Sequence, residues 1–165
     1  MDVRTLTGSP PARLRVRGSD PAEVSYELAD DLVATHSAEP SPEAVLTFEG
    51  DDISVEPLAA VATRGLEERK LGPVYRRVPG GAVAVPTGRA FVRLAKGESA
   101  AQHERDLVAA GYRLEQVPSY APHAAWVRPA TGRVVDALRN LDRLEHLPGV
   151  EHAEPQLLTA AARRH

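Results

Sequence analysis

Cysteine is absent from the 165-residue chain, which excludes disulfide bonds, thiolate metal sites and a cysteine nucleophile. Aromatic residues make up only 4% of the chain, so the core must consist mainly of valine, leucine and alanine. No apolar run approaches the length of a membrane span, and residues 1–16 lack the apolar segment of a secretory signal. We therefore expect no membrane as a partner.

Basic residues are missing from one long segment. Between Gly18 and Ala60 there are eleven acidic residues and no lysine or arginine, and the whole chain has a formal net charge of −3. An acidic segment of this kind repels phosphate backbones. The charge pattern therefore predicts that nucleic acid is not a partner.

The first half of the chain predicts an α+β subdomain behind a short arm. Residues 1–12 are rich in glycine, proline and serine and predict a flexible arm. Residues 13–85 predict the subdomain, with these elements: a strand at 13–17, two strands within 24–35 separated by a turn at Asp30-Asp31, a strand at 44–49, a helix at 56–71 ended by Gly72-Pro73, and a hairpin around 79–81.

The second half has a clearer order of elements. Residues 86–155 predict strand, helix, strand, strand, helix and strand, in these positions: 89–95, 99–110, 112–117, 123–128, 133–147 and 150–154. Ser99 is predicted to cap the first of these helices and Gly111 to end it. This order gives a four-stranded antiparallel sheet with both helices on one face, which is the ferredoxin-like plait, and leaves the other face as a candidate binding surface. Pro155 is predicted to end the last strand, so residues 156–165 are predicted to form a loose tail.

Four segments resemble one protein family: GRAFVRLAKG (88–97), VAAGY (108–112), VPSYAPHAAWV (117–127) and ALRNLDRLEHLPGVEHAEPQ (137–156). Together they resemble the propeptides of subtilisin-like serine proteases, which double as protease inhibitors. The resemblance is to the longer prodomains that carry an extra N-terminal subdomain. It implies that the protein inhibits a subtilisin-like serine protease, assists its folding, or does both.

The resemblance also implies two sets of contact residues. In that family the bare sheet face docks on the protease with acidic side chains at helix N-termini, and the tail lies in the substrate cleft as an added strand. The implied sheet-face residues are Tyr120, His123, Trp126, Glu151 and Glu154, and the implied tail residues are Gln156, Leu157, Leu158, Thr159 and Ala160. The expected location is cytoplasmic if the chain is complete and extracellular if it is an excised propeptide.

Other functions find less support in the residues. No G-x-S-x-G elbow is present, and His123 and His152 lack an evident third ligand, so we expect neither an enzyme nor a metal or other cofactor. An RNA-binding plait would have to stack bases on Phe91 and Trp126 alone. The alternative that stays open is a plait that binds a protein or peptide with no protease involved.

Overall fold

The computed structural model describes residues 2–17, 23–39, 41–62, 64, 67 and 70–159. Over these residues the chain is an α+β protein with nine strands in an antiparallel sheet and a few short helices. Over the same residues it forms two compact units, one within residues 2–87 and 157–159 and the other within residues 88–156.

The N-terminal unit is built around one long strand. Its elements are α1 (Val3–Thr7), β1 (Arg13–Arg17), β2 (Glu23–His36), β3 (Leu46–Phe48), β4 (Ile53–Pro57), α2 (Leu58–Ala62), β5 (Leu71–Val78) and the first part of β6 (Val83–Leu94). Strand β2 pairs with β1 through its first half, with β4 through its second half, and with β5 along the other edge. The predicted hairpin is confirmed, because β5 and β6 pair on either side of residues 79–82.

The predicted turn at Asp30-Asp31 is wrong. Both aspartates lie within β2, which continues through them with a β-bulge between Leu28 and Val33. The carboxylate of Asp31 accepts two hydrogen bonds from the Arg76 guanidinium, at 2.7 and 3.1 Å. Pairing of β2 with neighbouring strands therefore outweighs the local turn preference of the two aspartates.

The predicted helix at 56–71 is also largely wrong. Residues 53–57 form β4, the helix α2 covers only residues 58–62, and Gly72-Pro73 lie inside β5. The predicted helix also included residues 63, 65, 66, 68 and 69, which lie outside the described residues. The spacing of apolar residues over 56–71 is that of a helix. In the structure, Glu56 instead lies in the sheet, where its buried side chain accepts hydrogen bonds.

Residues 3–7 form a helix rather than part of a flexible arm. Asp2 caps α1, since its Oδ1 accepts a hydrogen bond of 3.0 Å from the Arg4 N–H. Val3 is buried and packs in a small core with Val33, Val61 and Leu71. This packing holds the segment that composition alone marked as mobile.

The C-terminal unit contains the rest of the elements. They are the second part of β6, α3 (Glu104–Ala109), β7 (Tyr112–Gln116), β8 (Ala124–Pro129), α4 (Val134–Arg139), α5 (Leu141–Glu145) and β9 (Val150–Thr159) as far as Gln156. The strands are hydrogen-bonded in the order β7-β8-β6-β9. The predicted strands at 112–117 and 123–128 are confirmed within a residue or two.

Both predicted helices of this unit are shorter than expected. The first is a 3₁₀ turn at 101–103 followed by α3, without a side-chain cap from Ser99. The second is divided into α4 and α5 at Asn140, which has φ −93° and ψ 0°. Gly111 ends the α3 segment as predicted, and its φ of +97° is a conformation that suits glycine.

The last strand does not end at Pro155. Strand β9 runs through this proline to Thr159, and Pro155 is buried within it. Likewise β6 runs unbroken from Val83 to Leu94 through Pro86, where two separate strands were predicted. The prediction at Pro155 is wrong because proline is tolerated in a strand where its nitrogen is not needed for pairing.

Candidate functional site: the outer face of the C-terminal sheet

The sheet of the C-terminal unit has an inner and an outer side, because side chains alternate along each strand. The inner side carries Val92, Leu94 and Val127, which pack with Leu107 of α3 and Leu144 of α5. Helix α4 also contacts this side, since its Ala137 carbonyl accepts a 2.9 Å hydrogen bond from the buried Tyr112 hydroxyl. Within residues 88–156 all three helices therefore lie on the inner side.

The outer face consists of the alternating residues of the same strands. We define it by Arg89, Phe91 and Arg93 of β6, Arg113 and Glu115 of β7, and Trp126 and Arg128 of β8. Four of these seven side chains are guanidinium groups, two are aromatic and one is a carboxylate. The candidate site is this basic and aromatic surface.

Trp126 lies at the centre of the outer face. It is paired directly across the strands with Phe91, and the two rings meet edge to face with centroids 5.2 Å apart. The Arg89 guanidinium lies over the indole, 4.5 Å from the ring centroid. This cation–π contact covers one face of the only tryptophan in the chain.

Glu115 joins two arginines through a β-bulge. In the register of β7 and β8, Leu114 faces Val127 and Gln116 faces Trp126, so that Glu115 is the extra residue. A bulge redirects the side chain of the residue it inserts. Here the Glu115 carboxylate accepts a hydrogen bond from Arg128 and forms an ion pair of 2.8 Å with Arg89.

The side chains of two arginines of the outer face, Arg93 and Arg113, form no ion pair among the described residues. Arg113 lies directly opposite Arg128 across the strands, an arrangement of like charges that is unfavourable by itself. Arg93 and Arg113 are exposed, and neither side chain makes a hydrogen bond or ion pair with another residue that the structure describes. Beside Arg113 is a cavity of about 160 Å³ lined by Arg113, Leu114, Glu115 and Arg128.

The sheet-face residues predicted from the sequence are spread over several places. Trp126 is part of the outer face. Glu154 lies on the same side as His152, to which it is paired at 3.2 Å, because both alternate with the core residue Ala153. Glu151 is exposed and lies two positions before Ala153, so its side chain is on the same side of the strand as Ala153 and on the opposite side from Glu154.

The other two predicted sheet-face residues precede β8. Tyr120 is 89% exposed in the loop before that strand. His123 is half-buried, and its backbone carbonyl accepts a 2.7 Å hydrogen bond from the Leu94 N–H. The five predicted side chains therefore do not form one cluster.

The predicted tail residues belong mostly to a strand. Gln156, Leu157, Leu158 and Thr159 are the last residues of β9, and Ala160 lies outside the described residues. Leu158 is half-buried and packs against the core of the N-terminal unit that contains Val74 and Val85. These residues thus have a structural role in addition to any contact with a partner.

Sequence reasoning missed most of the outer face, although the signal was present. The segment RAFVR (89–93) alternates arginine and phenylalanine with core residues, and the segments R-x-E (113–115) and W-x-R (126–128) do the same. Read with a period of two, these segments place their polar and aromatic residues on one side of each strand. What the sequence did not indicate was the bulge that brings Glu115 to both arginines.

A second polar cluster lies in the N-terminal unit, around the fully buried carboxylate of Glu56. One of its oxygens accepts a 2.7 Å hydrogen bond from Thr35 and one of 2.8 Å from Arg64. The other accepts a 2.7 Å hydrogen bond from Ser41 and pairs with Arg64 at 2.7 Å. Burial by itself would raise the pKa of Glu56, but the hydrogen bonds from Ser41, Thr35 and Arg64 outweigh it and hold the pKa below its usual value.

Because every oxygen of Glu56 has partners, the cluster is a structural tie rather than a reactive site. Within the described residues no three His, Asp or Glu side chains are placed to hold a metal ion. None of the described helices is long and apolar enough to cross a membrane.

No family model, curated protein or solved structure matches the chain. The fold and the outer face are therefore the features that bear on function.

Proposed function

We propose that this protein is a subtilisin-propeptide-like inhibitor, folding chaperone or both, which acts on a subtilisin-like serine protease. The observation that carries the proposal is the strand order β7-β8-β6-β9 in the C-terminal unit. Helix α3 connects β6 to β7, and helices α4 and α5 connect β8 to β9. A ferredoxin-like plait requires this order, with its first and third strands in the centre and all helices on one side.

The outer face supports the proposal because it meets the needs of a docking surface. Within residues 88–156 the helices lie on the inner side, so the outer face carries side chains and no helix. Trp126, Phe91 and Arg89 form a preorganised cluster of the residue types that dominate protein–protein binding energies. A sheet face of this kind is suited to pack on a folded partner.

The last strand changes which residues we propose for the protease cleft. Leu157–Thr159 lie in β9, and Leu158 contributes to a core. Binding in a cleft by β-augmentation requires an extended segment whose backbone groups are available. We therefore propose that the cleft segment begins at Ala160, and that Gln156 to Thr159 hold its starting point in place.

The test is inhibition of a secreted bacterial subtilisin, assayed with a chromogenic peptide substrate. Three chains are compared: residues 1–165, residues 1–159, and the full chain with Arg105→Glu as an exposed control on α3. We expect inhibition by the full chain and by the control, and loss of inhibition by residues 1–159 with an unchanged far-UV circular dichroism spectrum. Refolding yield of the denatured protease, with and without the chain, tests the chaperone activity.

A truncation after Pro155 would be a poor test, because it removes Leu158 from the core and so confounds binding with stability. If the well-folded full chain neither inhibits the protease nor raises its refolding yield, the proposal is wrong.

The second candidate is a plait that binds another protein with no protease involved. It is favoured by the incorporation of Leu157–Thr159 into β9, because residues that belong to a strand are not available to a cleft. The two candidates differ in one measurement, because a scaffold that uses only the outer face binds its partner equally well with and without residues 160–165.

A further inference from the structure

We infer that the outer face of the C-terminal sheet docks on an acidic protein surface, through carboxylates of the partner that pair with Arg93 and Arg113. The partner is the one proposed above, and the inference rests on that proposal for the identity of the partner alone. The acidic side chains implied by the family resemblance, Glu151 and Glu154, give a different expectation, namely a partner that offers helix N-termini.

The outer face has an excess of positive charge. Strands β6, β7 and β8 present four guanidinium groups, Arg89, Arg93, Arg113 and Arg128, and one carboxylate, Glu115, which pairs with Arg89 and Arg128. On β9 the carboxylate of Glu154 lies on the same side and pairs with His152. The side chains of Arg93 and Arg113 have no partner among the described residues, and both are exposed. They are thus available to form bidentate pairs with carboxylates.

The position of Arg113 is electrostatically unfavourable in the free protein. An arginine directly opposite Arg128 on an exposed sheet face costs stability in the isolated chain. A partner carboxylate in the cavity between Arg113, Leu114, Glu115 and Arg128 would relieve the repulsion between the two arginines. Because binding of a carboxylate removes the repulsion between Arg113 and Arg128, the outer face should bind an acidic partner in preference to a neutral one.

The contacts of Trp126 favour a protein over a nucleic acid as the partner of the outer face. An aromatic residue that stacks on bases needs an open ring face, as in single-strand-binding sheets. The Arg89 guanidinium lies 4.5 Å from the Trp126 ring centroid, and Phe91 meets the same ring at its side. The central aromatic is therefore committed to contacts within the face, which favours side-chain packing over base stacking.

Trp126 is the only tryptophan in the chain, so its fluorescence reports on the outer face directly. The probes are poly-L-glutamate and a single-stranded oligothymidylate, each titrated into the full-length protein at low salt. The test variant is Arg93→Glu with Arg113→Glu. The control is Arg105→Glu with Arg143→Glu, which makes the same change of net charge at exposed positions on α3 and α5.

We expect poly-L-glutamate to change the Trp126 emission saturably in the wild type and the control, and to bind the test variant about tenfold more weakly or worse. Added salt should weaken the binding to the wild type, because the arginines are exposed. Arg93→Gln with Arg113→Gln provides a milder variant if the charge reversals unfold the protein, and it should give a smaller loss in the same direction.

Three results of the titrations overturn the inference: no response of Trp126 to poly-L-glutamate, equal binding by test and control variants, or tighter binding of oligothymidylate than of poly-L-glutamate. The protease assay separates this inference from the proposed function. If the test and control variants inhibit the protease equally, the acidic docking surface is wrong, but the inhibitor proposal is not affected. If the wild type does not inhibit the protease, the inhibitor proposal is wrong, and the fluorescence titrations alone decide whether the outer face binds acidic proteins.

Discussion

Replacing Glu56 with glutamine tests how much the polar network around its carboxylate stabilises the fold. This network connects β4 to β2, to the loop at Ser41 and to Arg64. The carboxylate is fully buried and each of its oxygens has two polar contacts between 2.7 and 2.8 Å. Removing one partner of a buried ion pair typically costs about 3–5 kcal/mol, because the other charge loses its compensation. Glutamine keeps the volume and one acceptor oxygen, and Arg64 is 32% exposed and can regain water, so we expect the lower end of that range.

A loss of about 3 kcal/mol corresponds to a fall in Tm of about 6–12 °C for a chain of this length. The effect should also depend on pH with a definite sign. The pKa of Glu56 is lowered in the folded state, whereas in the unfolded state it returns to about 4.5. The extra stability of the wild type over the variant is therefore fully present at pH values above the pKa of Glu56 in the unfolded state. It is lost as the pH falls through the lower pKa of Glu56 in the folded state.

The assay is urea unfolding at neutral pH and at several pH values below the usual glutamate range. Far-UV circular dichroism follows the whole chain, while Trp126 fluorescence follows the C-terminal unit separately. Glu49→Gln is the matched control, since Glu49 is exposed. A loss below about 1 kcal/mol, or a gap between wild type and Glu56→Gln that does not narrow in acid, would refute the assigned role of the cluster.

Three further substitutions test separate parts of the structure. Tyr112→Phe removes the buried hydroxyl that donates to the Ala137 carbonyl at 2.9 Å, and should cost about 1–2 kcal/mol in urea unfolding followed by Trp126 fluorescence. Leu158→Ala should cost about 1–2 kcal/mol in unfolding followed by circular dichroism, because the half-buried side chain packs on a core. Gly111→Ala should lower the Tm by several degrees, since its φ is +97° and a Cβ would lie 3.0 Å from Asn140 Nδ2.

Each of these substitutions has a control that makes a comparable change at an exposed or open position. Tyr120→Phe alters a tyrosine that is 89% exposed, Val45→Ala alters a valine that is 63% exposed, and Gly50→Ala adds a Cβ with no atom within 4 Å. We expect these three changes to alter stability by less than about 0.5 kcal/mol. A control that destabilises as much as its partner variant would show that the named contact is not the cause.

The sequence predicted those elements whose signal is local. Residues 13–17 alternate arginine with leucine and valine, and they form β1 as expected. The hairpin at 79–82 and the helix end at Gly111 depend on turn residues with a conformational preference of their own. In each case the residue that determines the structure lies within the element or next to it.

The wrong predictions concern residues whose role is set by distant partners. Asp31 lies in a strand because Arg76, 45 positions away, supplies its hydrogen bonds. Glu56 lies in a strand because Thr35 and Ser41 reach its carboxylate from β2 and the loop before β3. Periodicity and turn preference describe short segments, and contacts of this range override both.

The same distinction applies to the candidate site, and it changes where function is sought. A tail that follows a strand end at Pro155 would be an independent ligand, and the sheet would serve only to hold it. Strand β9 continues to Thr159 instead, and Leu158 is committed to a core, so a proposed cleft segment begins later and its starting point is fixed by the fold. In the proposed function more of the specificity then comes from the outer face, where Trp126 contacts Phe91 and Arg89 before any partner binds. Because a preorganised face loses little conformational entropy on docking, these contacts favour affinity.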